Sequence, residues 1–201
     1  MISMATIKLA VEVINVVSLA IDVADKFVDM LKNAGIIKNT DNADELGGKV
    51  LRGREINLTP DGLTTKQDYE DYMRRIDAVE LPAGQSYAPE EKQAAASEFI
   101  TGAMNTRYGT QSGVNSFLKE VDTHKEYYSP QRIETYMDKA RQSNLNMENI
   151  GRYLDSKLDS MQEIRQTESV LVDAEKELGI SDKEAKDKLD AERTERAGTS
   201  V

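Results

Sequence analysis

The segment VEVINVVSLAIDVADKFVDM, residues 11–30, constrains this chain more than any other stretch. Its polar residues are Glu12, Asn15, Ser18, Asp22, Asp25 with Lys26, and Asp29. Steps of three or four place them on one narrow stripe of a helix and leave the remaining surface to Val, Ile, Leu, Ala, Phe and Met. A helix apolar over so much of its circumference must be enclosed by its own bundle, by copies of itself or by lipid.

Little apolar sequence elsewhere is available to enclose it. Only 39% of the 201 residues are hydrophobic, 31% are charged, and the net charge is −10. An acidic surface repels phosphate backbones and anionic headgroups, so nucleic acid is not an expected partner. The chain has no cysteine, which excludes disulfides, thiolate nucleophiles and cysteine metal cages. No cleaved signal peptide is expected, because Glu12 and Asn15 interrupt the apolar stretch that such a signal needs. The same segment falls short of the roughly 20 nearly uncharged residues of a spanning helix.

Local signals predict mostly helices. The first runs from about Ala5 to Ala34 and stops at Gly35. Residues 35–64 are rich in Gly and polar residues and read as an irregular connection. Within them, VLRGREINL could close a hairpin on Gly53-Arg54, with Arg52 facing Glu55 and Leu51 facing Ile56. Thr64 or Thr65 caps a second helix carrying Tyr69, Tyr72, Met73 and Ile76. Pro89, followed by Glu90 and Glu91, opens an Ala-rich helix through Met104. Another short helix runs from Val114 to about Tyr127, and Ser129-Pro130 begins one that ends near Gln142.

Met147, Ile150, Leu154, Leu158, Met161, Ile164, Leu171, Ala174 and Leu178 form one helical stripe, which predicts a single long helix over about 146–178. At the standard rise it would span roughly 48 Å, and its mate would be the helix over 5–34. Ser181 and Glu184 form a capping box for a charged terminal segment over 179–201. The expected fold is therefore all-α: an elongated bundle on two long helices, with a helical domain over 1–178 and a charged helix or tail after it.

No residue pattern names a chemistry. His124 is the only histidine, so multi-histidine metal sites are excluded, and it sits among charges in DTHKEYY as a solvent-facing residue. The segment Asn57–Asp68 places Asn57, Thr59, Asp61, Gly62, Thr65 and Asp68 on calcium-loop positions. However, the terminal Glu, the apolar eighth position and the entering helix are missing, so a turn leading into a capped helix accounts for it better. Its Asn-Leu-Thr sequon matters only in a eukaryotic secretory setting. GGK at 47–49 lacks the remainder of a phosphate loop. Carboxylates are abundant but unpaired into any recognisable acid and base. No catalytic, cofactor or metal site and no small-molecule substrate is expected.

The expected contact residues are Val13, Val16, Val17, Ile21 and Phe27 on the first helix, with Leu154, Leu158, Met161 and Leu171 on the long stripe. They would serve self-association or a protein partner. Membrane insertion of residues 5–34 is the rival reading, and an enzyme with an unrecognised carboxylate site is the second rival.

The apolar N-terminal helix, polar middle, SPQRIETYM at 129–137 and long C-terminal stripe with QEIRQTESVL resemble secreted filament, needle-tip and hydrophilic translocator proteins of bacterial type III secretion systems. The resemblance is one of layout over residues 5–34 and 114–178, and the segment after Gly179 departs from it. It implies export without a cleaved signal, homopolymeric or tip-complex assembly, and a dedicated secretion chaperone. A leaderless effector of another contact-dependent system fits the same layout.

Overall fold

A computed structural model of the chain describes residues 16–63, 65–109 and 112–199. The fold is all-α, with no strand among the described residues. The chain divides into two compact units, Met1–Arg107 and Tyr108–Val201.

In the first unit, α1 (Ile21–Asn33) is followed by α2 (Ala43–Glu55), α3 (Lys66–Asp77) and α4 (Pro89–Tyr108). The apolar face of α1 supplies the core: Val23, Ala24, Phe27, Val28, Met30 and Leu31 are all 0% exposed. Asp22 and Asp29 stay at the surface, as the stripe of polar residues requires. Asp25 accepts from the Ala43 amide at 2.7 Å, placing a carboxylate at the start of α2 where the helix dipole favours it. Gly35, at φ 70°, ends α1 as expected, and the Ile36 amide closes back onto the Leu31 carbonyl at 2.9 Å.

Three expectations fail here, the first being the irregular connection over 35–64, in which α2 occupies Ala43–Glu55. The first helix is not continuous from 5 to 34, because residues 16–20 are extended; positions 5–15 lie outside the described residues. Val16 and Val17 are β-branched and lose side-chain freedom in a helix, and α4 side chains satisfy the extended main chain instead. The Val17 amide donates to Thr101 Oγ1 at 3.4 Å and the Leu19 amide to Ser97 Oγ at 3.1 Å. The hairpin at VLRGREINL is also absent, since those residues belong to α2 and the turn after it. The glycines of α2 mark close packing: a Cβ added at Gly47 would lie 2.1 Å from the Lys92 carbonyl oxygen, and one at Gly53 would lie 2.5 Å from Ile76 Cδ1.

Local capping follows the sequence more closely. Thr65 and Asp68 form a reciprocal capping box at α3, which is the role those two candidate calcium ligands fill. Tyr69 and Tyr72 stack edge to face at 5.5 Å, and Tyr72 reaches Phe99 of α4 at 6.1 Å.

The second unit contains α5 (Val114–Thr123), a single 3₁₀ turn (Lys125–Tyr127), α6 (Pro130–Gln142), α7 (Glu148–Leu154), α8 (Met161–Glu177) and α9 (Asp182–Thr199). Ser129 caps α6 ahead of Pro130, and the Ser181–Glu184 box precedes α9, both as predicted.

The expected long helix over 146–178 is broken between Leu154 and Met161. Ser156 takes a left-handed φ of 58°, and the Lys157 amide returns to the Arg152 carbonyl at 2.7 Å. The break folds the apolar stripe onto neighbours within the unit: α7 packs on α5 and α9, while α8 packs on α6 and α9. Leu154, Leu158, Leu171 and Ala174 are buried as a result. In the charged segment after Gly179, α9 buries Ala185 and Leu189, which are 0% and 1% exposed.

Candidate functional site

The expected contact residues separate into two groups. Val17, Phe27, Leu154, Leu158 and Leu171 are buried inside their own units and present no surface to a partner. Val16, Ile21 and Met161 are 45%, 42% and 61% exposed. Val13 lies outside the described residues. The extended residues 16–19 alternate in burial, with Val16 and Ser18 outward and Val17 and Leu19 inward, the period of two expected of an extended chain on a packed surface. Among the described residues, no helix is long and apolar enough to cross a membrane.

The strongest concentration of chemistry lies inside the second unit, where sequence reasoning expects none. Leu189, Glu192 and Arg196 continue the Ala185 stripe of α9 at helical spacing, so two charges occupy core positions. They complete a chain of alternating sign. Glu120 Oε1 pairs with Arg196 at 2.5 Å, Arg196 with Glu192 at 2.5 Å, and Glu192 with Arg132 at 2.8 Å. Arg132 pairs with Glu175 at 2.7 Å, and Glu175 with Lys188 at 2.7 Å. Tyr136 donates its hydroxyl hydrogen to Glu175 Oε1 at 2.6 Å and accepts from Arg132 Nη2 at 2.6 Å. The remaining Arg132 donor group bonds the Tyr127 carbonyl at 2.6 Å, and its guanidinium lies 4.9 Å from the Tyr136 ring centre.

Burial by itself would raise the Glu175 carboxyl, but Arg132, Lys188 and the Tyr136 hydroxyl hold it below its ordinary value. Burial pushes the Tyr136 phenol well above its own. A group of this kind holds fixed charges and keeps them; it ties α9 to α5, α6 and α8.

At the edge of this chain, Glu120, His124 and Asp155 offer ligand atoms within 4.8 Å of one another. His124 is half-buried at the end of α5, with Nε2 3.8 Å from Asp155 Oδ1, and does not face solvent as its sequence context suggests. Cations already serve these carboxylates: Arg196 Nη1 lies 2.5 Å from Glu120 and 3.5 Å from Asp155, and Lys157 Nζ lies 2.7 Å from Asp155. A divalent ion would have to stand against that guanidinium, so the donor set does not suit a metal.

In the first unit, an open depression of about 650 Å³ is lined by Asn39, Glu45, Lys49, Asp77 and residues 78–81. Its buried polar groups, Lys49 and Asp77, are already committed. Asp77 accepts from the Lys38 amide at 2.8 Å, the Asn39 amide at 3.0 Å and the Thr40 hydroxyl at 2.8 Å. Buried Lys49 bonds the Thr40 hydroxyl, the Asp77 carbonyl and the Asn39 carbonyl, and it pairs with Glu45 at 2.9 Å. This arrangement anchors the loop before α2.

No protein-family model matches the chain, and neither a curated protein nor a solved structure matches it.

Proposed function

We propose that this is a non-enzymatic interaction protein that self-associates or binds a protein partner through apolar side chains around the start of α1. The observation that carries this reading is the exposure of Val16 and of Ile21, the first residue of α1, at 45% and 42%, on either side of the buried Val17 and Leu19. In a chain with 31% charged residues, an outward valine and isoleucine so close in sequence are what a partner would cover. The sequence before Val16 adds Ile7, Leu9, Val11, Val13 and Ile14 to the same stretch. The sequence resemblance to secreted type III filament, tip and translocator proteins adds export and a shielding chaperone to this proposal, although the two long helices of that layout are not formed among the described residues.

Light scattering across protein concentration tests it. Mass that grows reversibly for the native chain, and stays monomeric for Val16→Asp with Ile21→Asp, supports the proposal. A constant monomer that also recruits no partner through this segment ends it.

A further inference from the structure

A second cavity of the first unit, about 260 Å³, is lined by the turn after α1 and by α3 and α4. Helical spacing gathers its lining: Lys66, Glu70, Met73 and Arg74 share one face of α3, and Ala103, Thr106 and Arg107 share one face of α4. Its apolar part is the buried Met73 and Ala103 with the half-buried Ile36 from the turn. Its charged part is Lys66, Arg74 and Arg107 against Glu70, which stands 3.7 Å from Lys66. Arg74 also pairs with Asp71, which does not line the cavity. Even with Asp71 counted, positive charge is in excess here, in a chain of net charge −10.

Thr106 supplies an independent observation. A threonine within a helix can turn its hydroxyl back onto the carbonyl four residues earlier, as Thr123, Thr135 and Thr194 each do at 2.8 Å. Thr106 does not. It is 8% exposed, and its buried Oγ1 has no hydrogen-bond partner among the described residues. A buried hydroxyl left unpaired is costly, and this one lines a cavity with excess positive charge. We propose that the cavity binds a small organic anion: its carboxylate accepts the Thr106 hydroxyl hydrogen on the cationic side, and its apolar body covers Ile36, Met73 and Ala103. At roughly 30 Å³ for each water-sized group, the cavity takes a ligand of about nine non-hydrogen atoms. A bare inorganic anion fits less well, because the apolar lining strips its water without offering donors in exchange. None of these residues is among those assigned to association, so the site stands apart from that reading.

Titration of the full chain with hexanoate, followed by amide NMR shifts, tests the site. Hexanoate should move the Ile36, Met73, Ala103 and Thr106 amides saturably. Two controls divide its chemistry: 1-hexanol keeps the body without the charge, and acetate keeps the charge without the body. Each should bind at least about tenfold more weakly than hexanoate. Thr106→Val keeps the side-chain shape and removes only the hydroxyl, so its melting temperature should not fall while hexanoate affinity drops about tenfold. Lys66→Gln with Arg74→Gln changes side chains that are 59% and 58% exposed, so the fold should persist. That variant should bind hexanoate several-fold more weakly and 1-hexanol unchanged. The absence of saturable shifts at these amides overturns the proposal, as does 1-hexanol or acetate binding as tightly as hexanoate. Native affinity for hexanoate in either variant overturns it as well.

Discussion

Arg132 Nε lies 2.7 Å from Glu175 Oε1 in the interior of the second unit, with side-chain exposures of 5% and 1%. Both ions are out of water, so each depends on the other. Replacing Glu175 with Ala leaves the Arg132 charge buried beside Tyr136 and Glu192 alone, and should destabilise the unit by about 3–5 kcal/mol. Urea denaturation followed by circular dichroism measures it. Exchanging both residues for apolar ones of similar volume should cost much less, since no orphaned charge remains.

The same network sets an acid sensitivity. The Glu175 and Asp155 carboxyls are held below their ordinary values of 4.5 and 3.8, in spite of burial, by Arg132 and Lys188 for the first and by Lys157, Arg196 and His124 for the second. A depressed carboxyl contributes stability above its unfolded pKa and loses it as pH falls through the folded value. Thermal stability of the second unit should therefore hold from neutrality to about pH 5 and decline below it. Glu175→Gln should lower stability at neutral pH and flatten that decline. An unchanged acid profile in this variant would remove Glu175 as its source.

Removing Ser97 and Thr101 hydroxyls by Ala substitution takes acceptors from the Leu19 and Val17 amides. Each loss should cost about 0.5–1.5 kcal/mol. Hydrogen exchange is the direct measurement: the Val17 and Leu19 amides should exchange faster, while those of α1 remain protected.

Adjacent glycines in α2 should respond oppositely to Ala. At Gly47 a Cβ meets the Lys92 carbonyl at 2.1 Å, and backbone cannot yield cheaply; a loss of about 1–3 kcal/mol is expected. At Gly48 the nearest atom is Leu81 Cδ1 at 3.2 Å, on a side chain 39% exposed and able to shift. There the gain in helix propensity, about 1 kcal/mol at most, should prevail. Paired melting curves decide it.

Helix ends were legible wherever the signal is carried by a few adjacent residues. Gly35, Thr65, Ser129-Pro130, Ser181 with Glu184, and Gly179 each start or stop a helix in the structure. The hairpin at Gly53 misled because the glycine there makes room for Ile76, a contact between segments distant in sequence. Glu192 and Arg196 could have been noticed as charges on the Ala185–Leu189 stripe, but their partners Glu120 and Arg132 lie far away in the chain.

The sequence by itself determined that this protein is helical, where α3, α4, α6 and α9 begin and where α1 ends, because capping acts over one or two turns. Tertiary structure alone decided that residues 16–20 lie extended along α4, that the 146–178 stripe breaks at Ser156, and that α9 docks through buried charges. Those outcomes depend on which distant side chains satisfy a main-chain amide or neutralise an ion, and the free energy of such pairing exceeds the local preference that periodicity records.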